Sequence, residues 1–423
     1  MRNFCNYKSL VLILCHLSYR LIQAYDGFSC PPSNSETTAV KLRDSLLCNY
    51  DQALRPVSNH RNSTSIIFRL ILKYFAYKTY ESMLSLDAWL TVVWKDEHLT
   101  WNPADHEGIK YLHLHTSDIW TPDLSVYNMA SQGSDPNLIG NVKCLVTSKG
   151  QVQGVIPIHL DILCVPDLTR YPFDTQNCTI RFGSWIHKGE ELDLKFAKDI
   201  LGTEELEPNG EWQLVSQSAV KNAGKYKCCP NETYPSIEIS MNIKRLSSSH
   251  AASFVVPTLA GVILTFIFLS MSPVNKDRLT LCYVCFIGQF INSQFLSWQL
   301  PLHGEKIPLI ITFSRDSLLL TVFAILFTVV FRTLMQKKVA PPTWISSIVS
   351  VVISCRPGQL ILLSDYSTRG VASAKGEEDG ATIVPTETNS TNQDWELFAK
   401  ILDKLFLYTY IIVYLVMILS FLP

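Results

Sequence analysis

Cys164-Val-Pro-Asp-Leu-Thr-Arg-Tyr-Pro-Phe-Asp-Thr-Gln-Asn-Cys178 sets thirteen residues between two cysteines and holds an aromatic-Pro-Phe-Asp block, Tyr171 to Asp174, inside them. On either side the chain runs in short stretches rich in β-branched and aromatic residues, with turn residues between. Ser65-Ile-Ile-Phe-Arg-Leu-Ile-Leu72, Leu86-Asp-Ala-Trp-Leu-Thr-Val-Val-Trp94, Gly154-Val-Ile-Pro-Ile-His-Leu160 and Ser236-Ile-Glu-Ile-Ser-Met-Asn-Ile-Lys244 are the clearest. In the last, Ile237, Ile239, Met241 and Ile243 share one face, the period of a half-buried strand. Strands so spaced predict a β-sandwich, preceded by a short helix within 35–50. Nothing in this half forms a glycine-rich phosphate loop, a serine triad or a metal cluster. His113 and His115 share one side of a strand without a Cys or acidic partner nearby, and read as surface or core residues.

Beyond Arg245 the composition changes. Over all 423 residues, 36 Lys+Arg stand against 37 Asp+Glu, a balance unlike that of a polybasic nucleic-acid binder. Charged residues are only 17% and apolar ones 47%, with a mean hydropathy of +0.14. The surplus lies mostly after Arg245, which predicts a polar exported half joined to a membrane half. Residues 253–271 carry no charge, and 317–331 and 405–422 are similarly apolar, each long enough to contribute a crossing of a core about 30 Å thick. Residues 279–300 differ, because Thr280, Gln289, Asn292, Ser293, Gln294 and Ser297 interrupt the apolar run. A helix of that kind turns its polar side to water or to other helices. Periodicity alone does not separate a pore helix from one buried in the bundle.

The ends suit this division. Arg2 and Lys8 precede a short apolar run at 10–17, the layout of a removable signal peptide over 1–24. Of twelve cysteines, seven lie from Cys30 to Cys229, where an exported domain can oxidise them. Cys30 and Cys48 are candidates for a mutual pair, and Cys144 for a buried thiol. Asn62, Asn177 and Asn231 are glycosylation acceptors; Asn389, on the cytosolic side, should stay bare. The expected division is 25–245 as the exported sandwich, 246–334 as three crossings, 335–394 as a cytoplasmic loop and 395–423 as an amphipathic helix entering the fourth. Lys337 and Lys338 follow the third crossing, as the positive-inside rule asks. Both termini then lie outside the cell.

The cysteine-bounded loop, with Tyr171-Pro-Phe-Asp174 ahead of four crossings, resembles the loop that defines pentameric Cys-loop ligand-gated ion channels. Phe182-Gly-Ser-Trp185 is similar to the nicotinic acetylcholine branch, and Tyr226-Lys-Cys-Cys-Pro-Asn-Glu-Thr-Tyr234 to its α-type subunits. The resemblance implies a Cys164–Cys178 disulfide and a vicinal Cys228–Cys229 disulfide tipping a loop that caps an agonist. Tyr127, Trp185, Tyr226 and Tyr234 are implied as the principal face of the ligand site, and Trp89, Leu145, Gln153 and Val155 as the complementary face. Stacked π faces hold a quaternary ammonium, which has no proton to donate, at about 0.5–2 kcal/mol per well-placed ring. The implied ligand is an acetylcholine-like cation. One chain carries both half-sites, so a homopentamer and assembly with other subunits are both compatible. The implied setting is a lipid membrane, postsynaptic, and no cofactor or enzymatic activity is implied.

In the same alignment 279–300 is the pore helix. Thr280, Val284, Ile287, Ile291 and Gln294 face the lumen, with Ile287 in place of the usual leucine gate and Asp277 as an acidic ring favouring cations. Several positions depart from the pattern. Val284 replaces a hydroxyl residue, Trp298 stands where an outer acidic ring is common, and the acidic turn that normally meets the membrane domain reads Ala76-Tyr-Lys-Thr-Tyr80. Arg245, ahead of the first crossing, is retained. These departures motivate a second reading, an accessory or non-conducting subunit with altered gating.

Overall fold

The computed structural model describes residues 37–130, 137–301, 306–355 and 388–421. The expected signal peptide and Cys30 lie outside them. Helix α1, Thr38–Leu47, is followed by ten strands: β1 Thr64–Lys78, β2 Met83–Thr100, β3 Tyr111–His115, β4 Leu124–Val126, β5 Lys143–Thr147, β6 Lys149–Leu163, β7 Thr175–Ser184, β8 Leu192–Gly202, β9 Trp212–Tyr226 and β10 Cys229–Arg245. They form a six-stranded sheet, β3-β5-β6-β2-β1-β8, and a four-stranded sheet, β4-β7-β10-β9.

Alternation in the strands explains why the two sheets face each other. Ile237, Ile239, Met241 and Ile243 on β10 are fully buried, as are Ile66, Leu70 and Leu72 on β1 and Leu84, Leu86, Leu90 and Val92 on β2. These side chains meet Phe68, Phe182, Trp94 and Trp212 in one continuous core. At roughly 1.5–3 kcal/mol for each large apolar side chain buried, this core outweighs any single polar contact at the surface.

Among the described residues, four helices are long and apolar enough to cross a membrane: α2 Ser248–Ser270, α3 Lys276–Gln299, α4 Leu309–Met335 and a stretch, Gln393–Ser420, of the last helix. Between α4 and that helix lies α5, Thr343–Ser354, which the sequence reading leaves inside a long connecting segment. The last helix, α6, runs over Thr388–Phe421, so the amphipathic stretch and the fourth crossing form one rod that begins inside the segment expected to be a linker. After a first turn at Ser248–His250, α2 passes through a π turn at Ala251–Val255 just ahead of Pro257, where the ring has no N–H to place. Trp395 anchors α6 near α5 by donating its indole N–H to the Val339 carbonyl at 2.7 Å.

The sandwich rests on the bundle through the Tyr171 loop. Leu168 and Tyr171 pack with Phe254, Leu296, Leu300 and Ile310 in a separate apolar cluster. The amide of Leu309 donates to the Thr169 carbonyl at 3.0 Å, and Lys306 reaches the Asp167 carboxylate at 2.6 Å. A two-layer exported domain above a four-helix apolar bundle matches the expected fold class.

Candidate functional site

On the four-stranded sheet, β7 ends at Ser184 and hands the chain to Trp185. The turn there is held by Asp123, whose carboxylate accepts from Ser184 Oγ at 2.8 Å, from the Ile186 amide at 2.8 Å and faces His187 Nδ1 at 2.8 Å. Burial works to raise the Asp123 pKa, but the hydrogen bonds from His187, Ile186 and Ser184 outweigh it and hold the carboxyl below its usual value. Asp123 sits inside Trp120-Thr-Pro-Asp-Leu-Ser-Val-Tyr127, yet the sequence reading assigns it no role.

Tyr127 extends from the end of β4 across β7. A Cβ built on Gly183 would land inside its phenol ring, so the Gly of Phe182-Gly-Ser-Trp185 is what lets the ring lie there. The Tyr127 hydroxyl donates to the Ser184 carbonyl at 2.6 Å, and its ring meets Trp185 edge-on with centroids 6.0 Å apart. Its pKa is pushed up to about 12 by burial, with Tyr226 and Asp123 adding to the shift. Tyr226, at the end of β9, and Tyr234, on β10, form a second edge-on pair with centroids 5.7 Å apart. Trp185 is 56% exposed and Tyr226 49% exposed, so ring surface stays open to a ligand. The structure thus brings the four aromatics expected on the principal face to one end of one sheet.

The β9–β10 hairpin carries Cys228 and Cys229. Tyr226 pairs with Cys229 across a tight turn at Lys227-Cys228. Both cysteines are free thiols, which corrects the expected vicinal disulfide. The backbone pairing closes this turn without a covalent ring, and a hydrogen bond between the two cysteines, acting first, raises the Cys229 pKa. The hairpin is instead pinned by charge: Lys188, three residues beyond Trp185, is salt-bridged to Glu232, and the Tyr234 hydroxyl donates to the other oxygen of that carboxylate at 3.0 Å. The Gly189 amide adds a bond to the Thr233 carbonyl at 2.8 Å.

The complementary-face residues all lie on the six-stranded sheet. Leu145 on β5 pairs with Gln153 on β6, and Val155 on β6 pairs with Thr91, two residues from Trp89 on β2. Gln153, Val155 and Trp89 point outward, with Trp89 39% exposed; Leu145 is half-buried. The two expected half-sites therefore stand on different sheets of one chain.

Further down, Cys164 and Cys178 are joined by a disulfide, as the resemblance implies. Inside the same loop Asp174 and Arg245 form a doubly bonded ion pair, at 2.8 Å and 3.2 Å, with both side chains almost fully buried. Arg245 also reaches Glu211 at 2.7 Å and stacks 4.2 Å from the Trp212 ring centroid. Arg245 thus finds its acids in Asp174 and Glu211, while Thr79 of the 76–80 turn contributes only a hydroxyl at 3.3 Å.

On α3, Asp277, Thr280, Val284, Ile287, Ile291 and Gln294 are exposed, whereas Arg278, Cys282, Cys285, Gln289 and Leu296 are buried against the bundle. Steps of three and four residues put the exposed set on one stripe. Gln289 turns inward, accepting from Thr321 Oγ1 at 2.9 Å, and Asn292 donates to Thr258 Oγ1 at 3.0 Å. Arg278, one residue past Asp277, is fully buried and doubly paired with Asp403 of α6 at 3.1 Å and 2.8 Å. The sequence reading misses that pair, because its members stand 125 residues apart. Cys144 is a buried thiol bonded to the Leu114 carbonyl at 3.3 Å, with its pKa raised to about 11 by burial. Cys48 is disulfide-bonded. Asn62, Asn177 and Asn231 are all exposed.

A sandwich whose disulfide-closed loop sits on four apolar helices is the architecture expected of a Cys-loop channel subunit. Residues 39–247 match the model of the neurotransmitter-gated ion-channel ligand binding domain. Among characterised proteins, the chain is 28% identical to neuronal acetylcholine receptor subunit alpha-3 of Bos taurus over 328 residues, 75% of this chain and 64% of the relative. Against subunit alpha-6 of Rattus norvegicus it is 30% identical over 295 residues, 67% of this chain and 59% of the relative. Against human alpha-3 it is 27% identical over 352 residues, 81% and 67% of the two chains. The chain belongs to the Cys-loop neurotransmitter-gated ion-channel family, on its nicotinic α-type branch, a family of channels and not of enzymes. It spans less than two thirds of the length of the bovine and rat relatives.

Proposed function

We propose that the chain is a subunit of a pentameric cation channel of nicotinic type, gated by an acetylcholine-like cation held between neighbouring subunits. The observation that carries this is the convergence of Tyr127, Trp185, Tyr226 and Tyr234, with open ring surface, on one sheet while Trp89 is open on the other. Packed sheets stand about 10 Å apart, so one chain cannot close both faces around one small ligand. A second subunit supplies the missing face, whether a copy of this chain or another member of the family.

In this reading the cation docks on Trp185 and Tyr127, and the hairpin carrying Cys228 and Cys229 closes over it. The Lys188–Glu232 bridge couples that hairpin to the Trp185 turn. Movement of the sandwich passes through the Cys164–Cys178 loop and the Asp174–Arg245 pair to α2, and through Lys306 and Leu309 to the top of α4. Five copies of α3 present Thr280, Val284, Ile287, Ile291 and Gln294 to the lumen. A ring of Ile287 side chains stops ions by dewetting, and a ring of Asp277 carboxylates favours cations. Signal, sandwich, crossings and cytoplasmic loop divide at 24, 245, 334 and 394, with both termini outside a postsynaptic plasma membrane and glycans on Asn62, Asn177 and Asn231.

Replacing Trp185→Ala abolishes binding of radiolabelled acetylcholine to receptor at the cell surface while surface expression stays intact. Unchanged affinity in that variant removes Trp185 from the site. The second reading, an accessory subunit that does not conduct, is favoured by Trp298, 83% exposed near the outer end of α3 where the family often carries an acid. Agonist-evoked current in oocytes decides between them: no current with other family subunits supplied leaves the accessory reading standing.

A further inference from the structure

The outward face of β2 is already occupied by a cation of the chain itself. Lys73 Nζ lies 4.5 Å from the centroid of the Trp89 ring. Its other partner is the Glu205 carboxylate at 3.1 Å. Two features of the backbone hold it there. β1 pairs Leu72 with Ala88 and Tyr74 with Asp87, so Lys73 is the extra residue of a β-bulge. A bulge re-aims a side chain without moving the rest of the strand. Here it puts Lys73 and Tyr74 outside in succession, while Leu72 and Phe75 stay in the core. The Lys73 carbonyl then accepts from the Glu207 amide at 2.9 Å, which fixes the segment carrying Glu205 alongside.

We infer that Lys73 is a built-in competitor that sets the affinity of the Trp89 face for cationic ligands. The inference rests on the proposed seam between subunits. A ring holds a cation through the negative potential of its faces. An ammonium on one face draws on that potential and repels a second positive charge brought to the exposed remainder of the ring. A quaternary ammonium at this seam must either share the indole with Lys73 or drive the amine back onto Glu205. Among the described residues no ammonium lies over the rings of Tyr127, Trp185, Tyr226 or Tyr234, and Lys188 beside them is bound to Glu232. The two half-sites of this chain are therefore unequal: the Trp185 side takes a cation directly, and the Trp89 side takes it against a resident charge. Seams built with this chain's Trp89 bind more weakly than seams in which another subunit supplies an unoccupied ring.

The test uses the full-length chain in membranes, with radiolabelled acetylcholine displaced by unlabelled acetylcholine and by its uncharged carbon isostere, 3,3-dimethylbutyl acetate. Lys73→Gln tightens acetylcholine by roughly three- to tenfold, the size of one cation–π contact regained. Lys73→Arg, which keeps the charge, stays within twofold of the parent, and the neutral isostere is unaffected by either change. Equal tightening of both ligands, or loosening in both variants, marks a structural role and overturns the inference. Binding that is lost in Trp185→Ala yet unmoved in Lys73→Gln also overturns it, and leaves the seam standing. Absence of Trp185-dependent binding in the parent and in Lys73→Gln removes the seam, and the role of Lys73 with it.

Discussion

At the scale of single residues, the Trp185 turn depends on a carboxylate that touches no ring. Asp123 accepts from a hydroxyl and an amide and pairs with a histidine, and each such bond to a charged acceptor contributes about 1.5–3 kcal/mol. Its pKa is depressed in the folded state, so the stabilisation is fully present above the unfolded carboxylate value and is lost as pH falls through the folded one. Acetylcholine binding is therefore expected to hold through neutral pH and to collapse only in acid, below the usual carboxylate range. Asp123→Asn binds more weakly at every pH and lacks that acid step. A pH series of equilibrium binding on the two proteins checks this, and an identical acid limb in both disproves it. Gly183 works at the same scale by absence, since any side chain there would occupy the space of the Tyr127 ring.

At the scale of elements, the joint between sandwich and bundle is organised around one buried cation. Arg245 ends β10 and leads directly toward α2, and its pair with Asp174 ties that junction to the disulfide loop. Removing one partner leaves the other charged and buried, at about 3–5 kcal/mol. Asp174→Ala is expected to lower the melting temperature of the solubilised receptor sharply. Asp174→Ala combined with Arg245→Ala recovers part of that loss, because no orphan charge remains. A double variant whose loss equals the sum of the two single losses contradicts direct coupling. The Arg278–Asp403 pair plays the matching part at the other end of the bundle, fastening α3 to α6.

At the scale of the whole molecule, the proposed assembly gives the exposed stripe on α3 its role, with several copies set around one axis. Asp277 stands in the first turn of α3, where Asn275 caps the helix by accepting from the Asp277 amide at 2.9 Å. Neutralising the ring with Asp277→Asn is expected to move the reversal potential under salt dilution toward that of chloride, with the agonist response otherwise kept. An unchanged reversal potential assigns selectivity elsewhere. A parent current that already tracks chloride defeats the cation reading altogether.

Much of this architecture was legible in residue order because its signals are local. The two-residue period of 236–244 and the uncharged run of 253–271 describe elements before any contact is known, and the cysteine spacing around Tyr171-Pro-Phe-Asp174 marks the loop. Tyr127, Trp185, Tyr226 and Tyr234 were named together by the resemblance of their motifs and not by any period in the sequence. Contacts across the fold were not readable in that way. A bulge in β1 set Lys73 on Trp89, Glu211 and Asp174 closed around Arg245, and Asp403 met Arg278. Periodicity records which side of an element is apolar, whereas pairing of charges depends on register and on which elements pack together, and those are decided only when the chain has folded.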